Sequence, residues 1–139
     1  MHSVQILYPV FVMVILTFLV GILLFTLNVK AVKQRKVRVK FFKVYNEDAP
    51  DYLLQARDHY KNLFEVPVLF YVLCAIIFIR QDVLIPDIVL AWAFVFFRLI
   101  HSYIRATSNR LPLRSQIFII SYGVLFVHWI YFITKVMIS

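Results

Sequence analysis

The sequence predicts an all-α membrane protein, a bundle of four transmembrane helices. Three observations carry this. The chain is 63% hydrophobic over 139 residues, more apolar surface than a soluble domain of that length can bury. Four long apolar stretches alternate with short charged segments. Two glycines are too few for the turns of a barrel, which leaves helices as the element able to satisfy its own backbone in lipid. The length suits one domain, residues 1–139, with spans expected at about 6–29, 53–79, 88–105 and 115–135.

The first stretch, Ile6 to Val29, holds 24 residues without a charge, enough to cross a hydrocarbon core of about 30 Å. It has no basic leader or small-residue cleavage site and is too long for a signal-peptide core, so it reads as a span. The segment that follows carries Lys30, Lys33, Arg35, Lys36, Arg38, Lys40 and Lys43, then Glu47 and Asp48. Charges there predict a cytoplasmic loop, close to anionic headgroups, with both chain termini outside. The whole layout leaves only Arg80 and Lys135, of fifteen Lys and Arg, on the outer side. The net charge of +8 is thus a matter of topology, and no nucleic-acid partner is expected. The short outer turn and the lack of appended domains suit a bacterial inner membrane.

The second helix is expected to start at Ala49-Pro50-Asp51, where proline and acidic side chains favour a helix N-terminus, and to run to about Ile79. That length exceeds the bilayer core, so its first turns should stand in the headgroup region. Pro67 should bend or loosen it just inward of Glu65. Arg57, Asp58, Lys61, Asn62 and Glu65 fall within one arc of about 140° on a continuous helix, a polar stripe expected to face inward. Cys74, the single cysteine, can form no intramolecular disulfide and reads as a buried, inert thiol.

Arg80-Gln81-Asp82 and Pro86-Asp87 read as a short outer turn. On the third span Arg98, His101 and Arg105 share a face within about 60°, suited to pairing with Asp58 and Glu65. The loop Thr107 to Arg114 contains Asn109, Arg110 and Pro112 and is again basic. The fourth span follows, with His128 read as a packing or aromatic-belt residue.

His2, His59, His101 and His128 lie on different segments with no cysteine pair, so no metal site is expected. No serine elbow is present for a hydrolase triad. What remains is a cluster of cations with a few polar groups at one end of three helices, and such a cluster suits a small polyanion.

Asn62-Leu63-Phe64-Glu65-Val66-Pro67, Arg98-Leu99-Ile100-His101 and Arg110-Leu111-Pro112-Leu113-Arg114-Ser115 together resemble the membrane-associated proteins in eicosanoid and glutathione metabolism, the MAPEG family. The resemblance implies a homotrimer that binds glutathione as co-substrate between protomers on the cytoplasmic side, and acts as a transferase or peroxidase on lipophilic electrophiles reaching the sulfur from the bilayer. By position, Arg114 matches the family's thiolate-stabilising arginine and Ser115 its neighbouring hydrogen-bond donor. Asn62, Glu65, Arg98 and His101 match binding positions, and Arg57, Lys61, Arg105 and Arg110 are the further cations placed to hold glutathione. The chain departs from several catalytic members at Arg105 and Phe118, where they carry tyrosine, and at Asp58, where they carry a basic residue. Those departures motivate an alternative, a non-catalytic lipid- or ligand-binding membrane protein on the same scaffold. An exporter using Glu65 as its proton-coupling carboxylate is a third reading.

Overall fold

The computed structural model describes residues 3–45 and 48–139. His2 and Glu47, which entered the sequence reading, lie outside the described residues. A 3₁₀ turn, Ser3–Ile6, leads into α1 (Leu7–Lys33), followed by α2 (Phe41–Val44), α3 (Asp51–Asn62), α4 (Val66–Arg80), α5 (Ile85–Ala106) and α6 (Leu111–Ile138). The described residues contain no strand. Four stretches, Ser3–Lys33, Asp51–Arg80, Ile85–Ala106 and Leu111–Ile138, are long and apolar enough to cross a membrane. The chain is a multi-pass membrane protein with four candidate transmembrane helices.

α1 extends past the expected end at Val29 because Lys30 and Lys33, cations in its last turn, suit the negative end of the helix dipole. Its outer side presents Phe11, Ile15, Phe18 and Phe25, side chains at ease against lipid. Gly21 brings α1 close to α3, since a Cβ there would lie 3.1 Å from the Tyr60 ring.

The expected second helix is two helices. Pro67 has no N–H to give the Leu63 carbonyl, and its ring would crowd that carbonyl. The chain between α3 and α4 therefore tightens. Leu63, Phe64 and Glu65 donate to carbonyls three residues back at 3.1, 3.0 and 3.3 Å. The predicted inward stripe is also not found, although four of its five residues lie on α3 itself, because α3 is rotated. α3 turns Leu53, Ala56 and His59 into the bundle. Asp58, Lys61 and Glu65 are exposed, and Arg57 and Asn62 are half-buried.

Prolines also move two helix starts. Pro86 and Pro112 sit in the first turns of α5 and α6, where a missing N–H is no loss. Both helices thus begin earlier than expected, at Ile85 and Leu111, and Asp87 and Arg114 are helical residues rather than loop residues.

α5 packs most extensively on α6, and α1 on α3. The main core joins Met13 and Val20 of α1, Phe70, Leu73, Cys74 and Ile77 of α4, Ala91, Phe94 and Val95 of α5, and Leu125 and Phe132 of α6. Phe70 and Phe94 stack at its centre with ring centroids 4.6 Å apart. A second, smaller core gathers Ala31, Val37, Phe41 and Leu53 where α1, α2 and α3 meet.

Candidate functional site

The ends of α3, α5 and α6 that share one pole of the bundle bring most of the sequence-predicted residues together. α5 supplies Arg98, His101 and Arg105 from one face. α3 ends there at Asn62, and α6 begins there with Arg114 and Ser115. Asn62, His101, Arg105, Arg114, Ser115 and Phe118 line a cleft of about 320 Å³.

Arg98 lies behind the cleft, against Asn62 and Phe118. Its side chain is fully buried, and its Nη2 donates to the Asn62 side-chain oxygen at 2.5 Å and to the Asn62 carbonyl at 3.5 Å. The break above Pro67 leaves that carbonyl facing Arg98, so one proline helps shape the site. Nε and Nη1 of Arg98 make no hydrogen bond among the described residues, nor does Nδ1 of the buried His101. Buried guanidinium donors without acceptors are costly, and Arg98 sits behind Asn62 and Phe118, which line the cleft. Such donors fit an anionic ligand with several acceptor oxygens. The Phe118 ring closes the floor, 5.6 Å from the Arg98 guanidinium carbon and 5.7 Å from the His101 ring.

Arg114 is held in place. Its Nη1 donates to the Asn109 side-chain oxygen at 2.7 Å. Asn109 sits at φ 46°, a left-handed conformation that asparagine tolerates better than most residues. Ser115, beside Arg114, is exposed. Arg105 is half-buried. Close pairing of Arg98 with Asp58 and Glu65, expected from the sequence, gives way to Asn62, because those carboxylates lie on the exposed side of the broken helix.

Other predicted residues stand outside the cleft. Lys61, Glu65 and Arg110 are exposed. The Arg57 guanidinium lies 4.0 Å over the Tyr45 ring, an attraction of aromatic face for cation that engages it with the connection after α2. Tyr103 and Tyr122 are 70% and 51% exposed and do not line the cleft. A larger groove of about 660 Å³ between α1 and the α3–α4 pair is apolar, with Tyr60, Tyr71, Thr17 and Asn28 as its polar lining. It gathers no ionisable cluster comparable to the cleft.

The sequence reading missed two features. Asn109 was seen only as part of a basic loop. At the opposite pole, Asp87 is fully buried: its Oδ2 accepts from the Leu84 N–H at 2.9 Å and from Lys135 Nζ at 2.9 Å, and its Oδ1 lies 3.4 Å from His128 Nε2. Lys135 also donates to the Asp82 carbonyl at 3.0 Å. His128 is thus part of a polar cluster rather than plain packing. The signal was present, since His128 and Lys135 are seven residues apart on one helical face. Among the described residues no group of three or more His, Cys, Asp or Glu is placed to hold a metal.

Searches of curated proteins and of solved structures gave no match. The model of the MAPEG family matches residues 6–134, from the start of the first span to near the end of the fourth and across every part of the cleft. With that extent of match, the chain belongs to the MAPEG family.

Proposed function

We propose that this protein is a membrane glutathione-dependent transferase or peroxidase acting on lipophilic electrophiles, assembled as a homotrimer. Family membership supports a glutathione-related transferase, peroxidase or related role in a membrane. The observation that carries the finer reading is the cleft itself: Arg105 and Arg114 converge with Asn62, His101 and Ser115, and the buried Arg98 behind Asn62 keeps two nitrogens without a hydrogen-bond partner among the described residues.

Glutathione supplies a thiol, whose pKa near 8.5 leaves only a few per cent as thiolate at neutral pH. Arg114, steadied by Asn109, offers a fixed positive charge to that sulfur, and the Ser115 hydroxyl a hydrogen bond. Arg98 and Arg105 suit the two carboxylates, since a guanidinium matches a carboxylate with paired donors. Glu65 and Asn62 suit the ammonium and the amides. Arg57, Lys61 and Arg110 act as outer cations that draw the anion toward the cleft. An apolar second substrate reaches the sulfur laterally, from lipid.

The test is the ultraviolet difference absorbance of glutathione thiolate on the purified protein, beside Arg114→Ala. A saturable signal lost in the variant supports the assignment. Conjugation by the variant as fast as the unmodified protein refutes it. One observation favours a second reading, a non-catalytic lipid- or ligand-binding protein. Phe118, which has no hydroxyl, fills the floor where several catalytic family members carry a tyrosine, and the tyrosines nearest in sequence are exposed outside the cleft. An intact oligomer with no thiolate signal would favour that reading.

A further inference from the structure

The segment from Lys30 to Lys43 is a folded, cationic platform. Half of its fourteen residues are Lys or Arg and none is acidic. All seven cations are exposed. An unstructured basic loop would leave its apolar residues exposed as well, and this one buries Val37 and Phe41. Val37 is 6% exposed and Phe41 1%, packed against Ala31 of α1 and Leu53 of α3. Turn hydrogen bonds fold the chain back after α1, from the Lys36 N–H to the Ala31 carbonyl at 2.9 Å and from the Arg35 N–H to the Val32 carbonyl at 3.0 Å. Phe41, Phe42 and Tyr45 pack edge to face. Arg57 over Tyr45 and Lys30 over the Tyr52 ring, at 5.5 Å, tie the segment to α3.

The platform begins directly after the uncharged stretch of α1, so it lies at headgroup level. Two apolar side chains point away from its small core: Val39 is 71% exposed and Val44 63%. Exposed cations with one exposed valine among them and another just after them, at the depth where lipid phosphates lie, match an anionic membrane surface in both charge and polarity. We propose that the segment from Lys30 to Lys43 is a docking surface for anionic phospholipid headgroups, ordered for that purpose by the Val37–Phe41 core. Clusters of four to eight such cations beside a span attract anionic lipid in general. The addition here is that the fold holds them in a fixed array. Headgroup selection then depends on packing as well as on net charge, and it is separate from the ligand cleft.

The test reconstitutes the full protein in phosphatidylcholine bilayers containing trace spin-labelled phosphatidylglycerol or spin-labelled phosphatidylcholine. Electron spin resonance then compares the motionally restricted fraction of each. The expected result is a several-fold preference for phosphatidylglycerol that high salt weakens and the variant K33Q/R35Q/K36Q/R38Q/K40Q/K43Q abolishes. Should that variant fail to assemble, the half-sets K33Q/R35Q/K36Q and R38Q/K40Q/K43Q are each expected to remove part of the preference. Phe41→Ser keeps every charge and unties the platform, and it should lower the preference by half or more. Arg110→Gln, on the other basic loop, should leave it unchanged. Retained selectivity in the half-sets, full selectivity in Phe41→Ser, or loss in Arg110→Gln would each overturn the proposal.

Discussion

Replacing Arg98 by methionine should leave the ligand-free fold as stable as before, or make it more stable, while weakening the glutathione binding proposed for the cleft. Arg98 is fully buried, and bringing a charge out of water costs several kcal/mol even after local relaxation. Against that the chain sets one short hydrogen bond to the Asn62 side chain and one at the limit of length to its carbonyl. A hydrogen bond to a charged group contributes about 1.5–3 kcal/mol. Two further guanidinium nitrogens have no partner among the described residues, and each withheld bond costs about 1–3 kcal/mol. The sum leaves the buried charge near zero or unfavourable to folding. Methionine matches the length and flexibility of the side chain and removes the charge, and such exchanges of buried ions have been neutral or stabilising by about 1–4 kcal/mol. Asn62→Ala should do the reverse, costing about 2–3 kcal/mol by stripping Arg98 of its main acceptor. The assay is denaturation in mixed micelles followed by circular dichroism without glutathione, because bound ligand would add its own stabilisation. Glutathione affinity, measured separately, should fall about 10–100-fold in Arg98→Met, the loss of one charged hydrogen bond. A ligand-free loss of about 2 kcal/mol or more in Arg98→Met would refute the argument. Arg98 would then be a structural post, or would find an acceptor on a neighbouring protomer.

Three further outcomes follow from the geometry. Asn109→Gly keeps the left-handed backbone and removes only the side-chain acceptor of Arg114. Glutathione thiolate formation should drop several-fold with little change in stability, read by difference absorbance beside a denaturation curve. Asp87→Ala leaves His128 buried and Lys135 facing a vacated partner. It should destabilise the fold by about 3–5 kcal/mol, while Asp87→Asn, which keeps the acceptor for Leu84, should lose less; equal losses would contradict a role for the charge. Pro67→Ala should allow α3 and α4 to join, which would turn the Asn62 carbonyl back into the helix. Helix content by circular dichroism should rise slightly and glutathione binding should weaken, and unchanged binding would separate the break from the site.

The fold class was readable because bilayer thickness and backbone satisfaction leave few options for four apolar stretches of this length. The break at Pro67 was readable in position, since a missing donor and a ring clash are local. Its extent was not: a bend was expected and a full interruption occurred, which set Glu65 apart from α3, while the exposure of Asp58 and Lys61 comes from the rotation of α3. The shared face of Arg98, His101 and Arg105 was likewise local, a property of 3.6 residues per turn, and all three lie on α5 in the structure.

Sequence by itself determined the spans, the basic segments between them and the cations that share a face on one helix. Tertiary structure decided which groups meet: Arg98 with Asn62, Arg114 with Asn109, Arg57 with Tyr45, and Asp87 with His128 and Lys135. The physical reason is rotational. These partners lie on different elements, α3, α5, α6 and the connections, and the periodicity of one helix says which of its residues share a face but not which face of another helix they meet. Lipid welcomes the exposed side as readily as the core does the buried one, so the rotation of each helix, and every pairing that depends on it, comes from packing between helices.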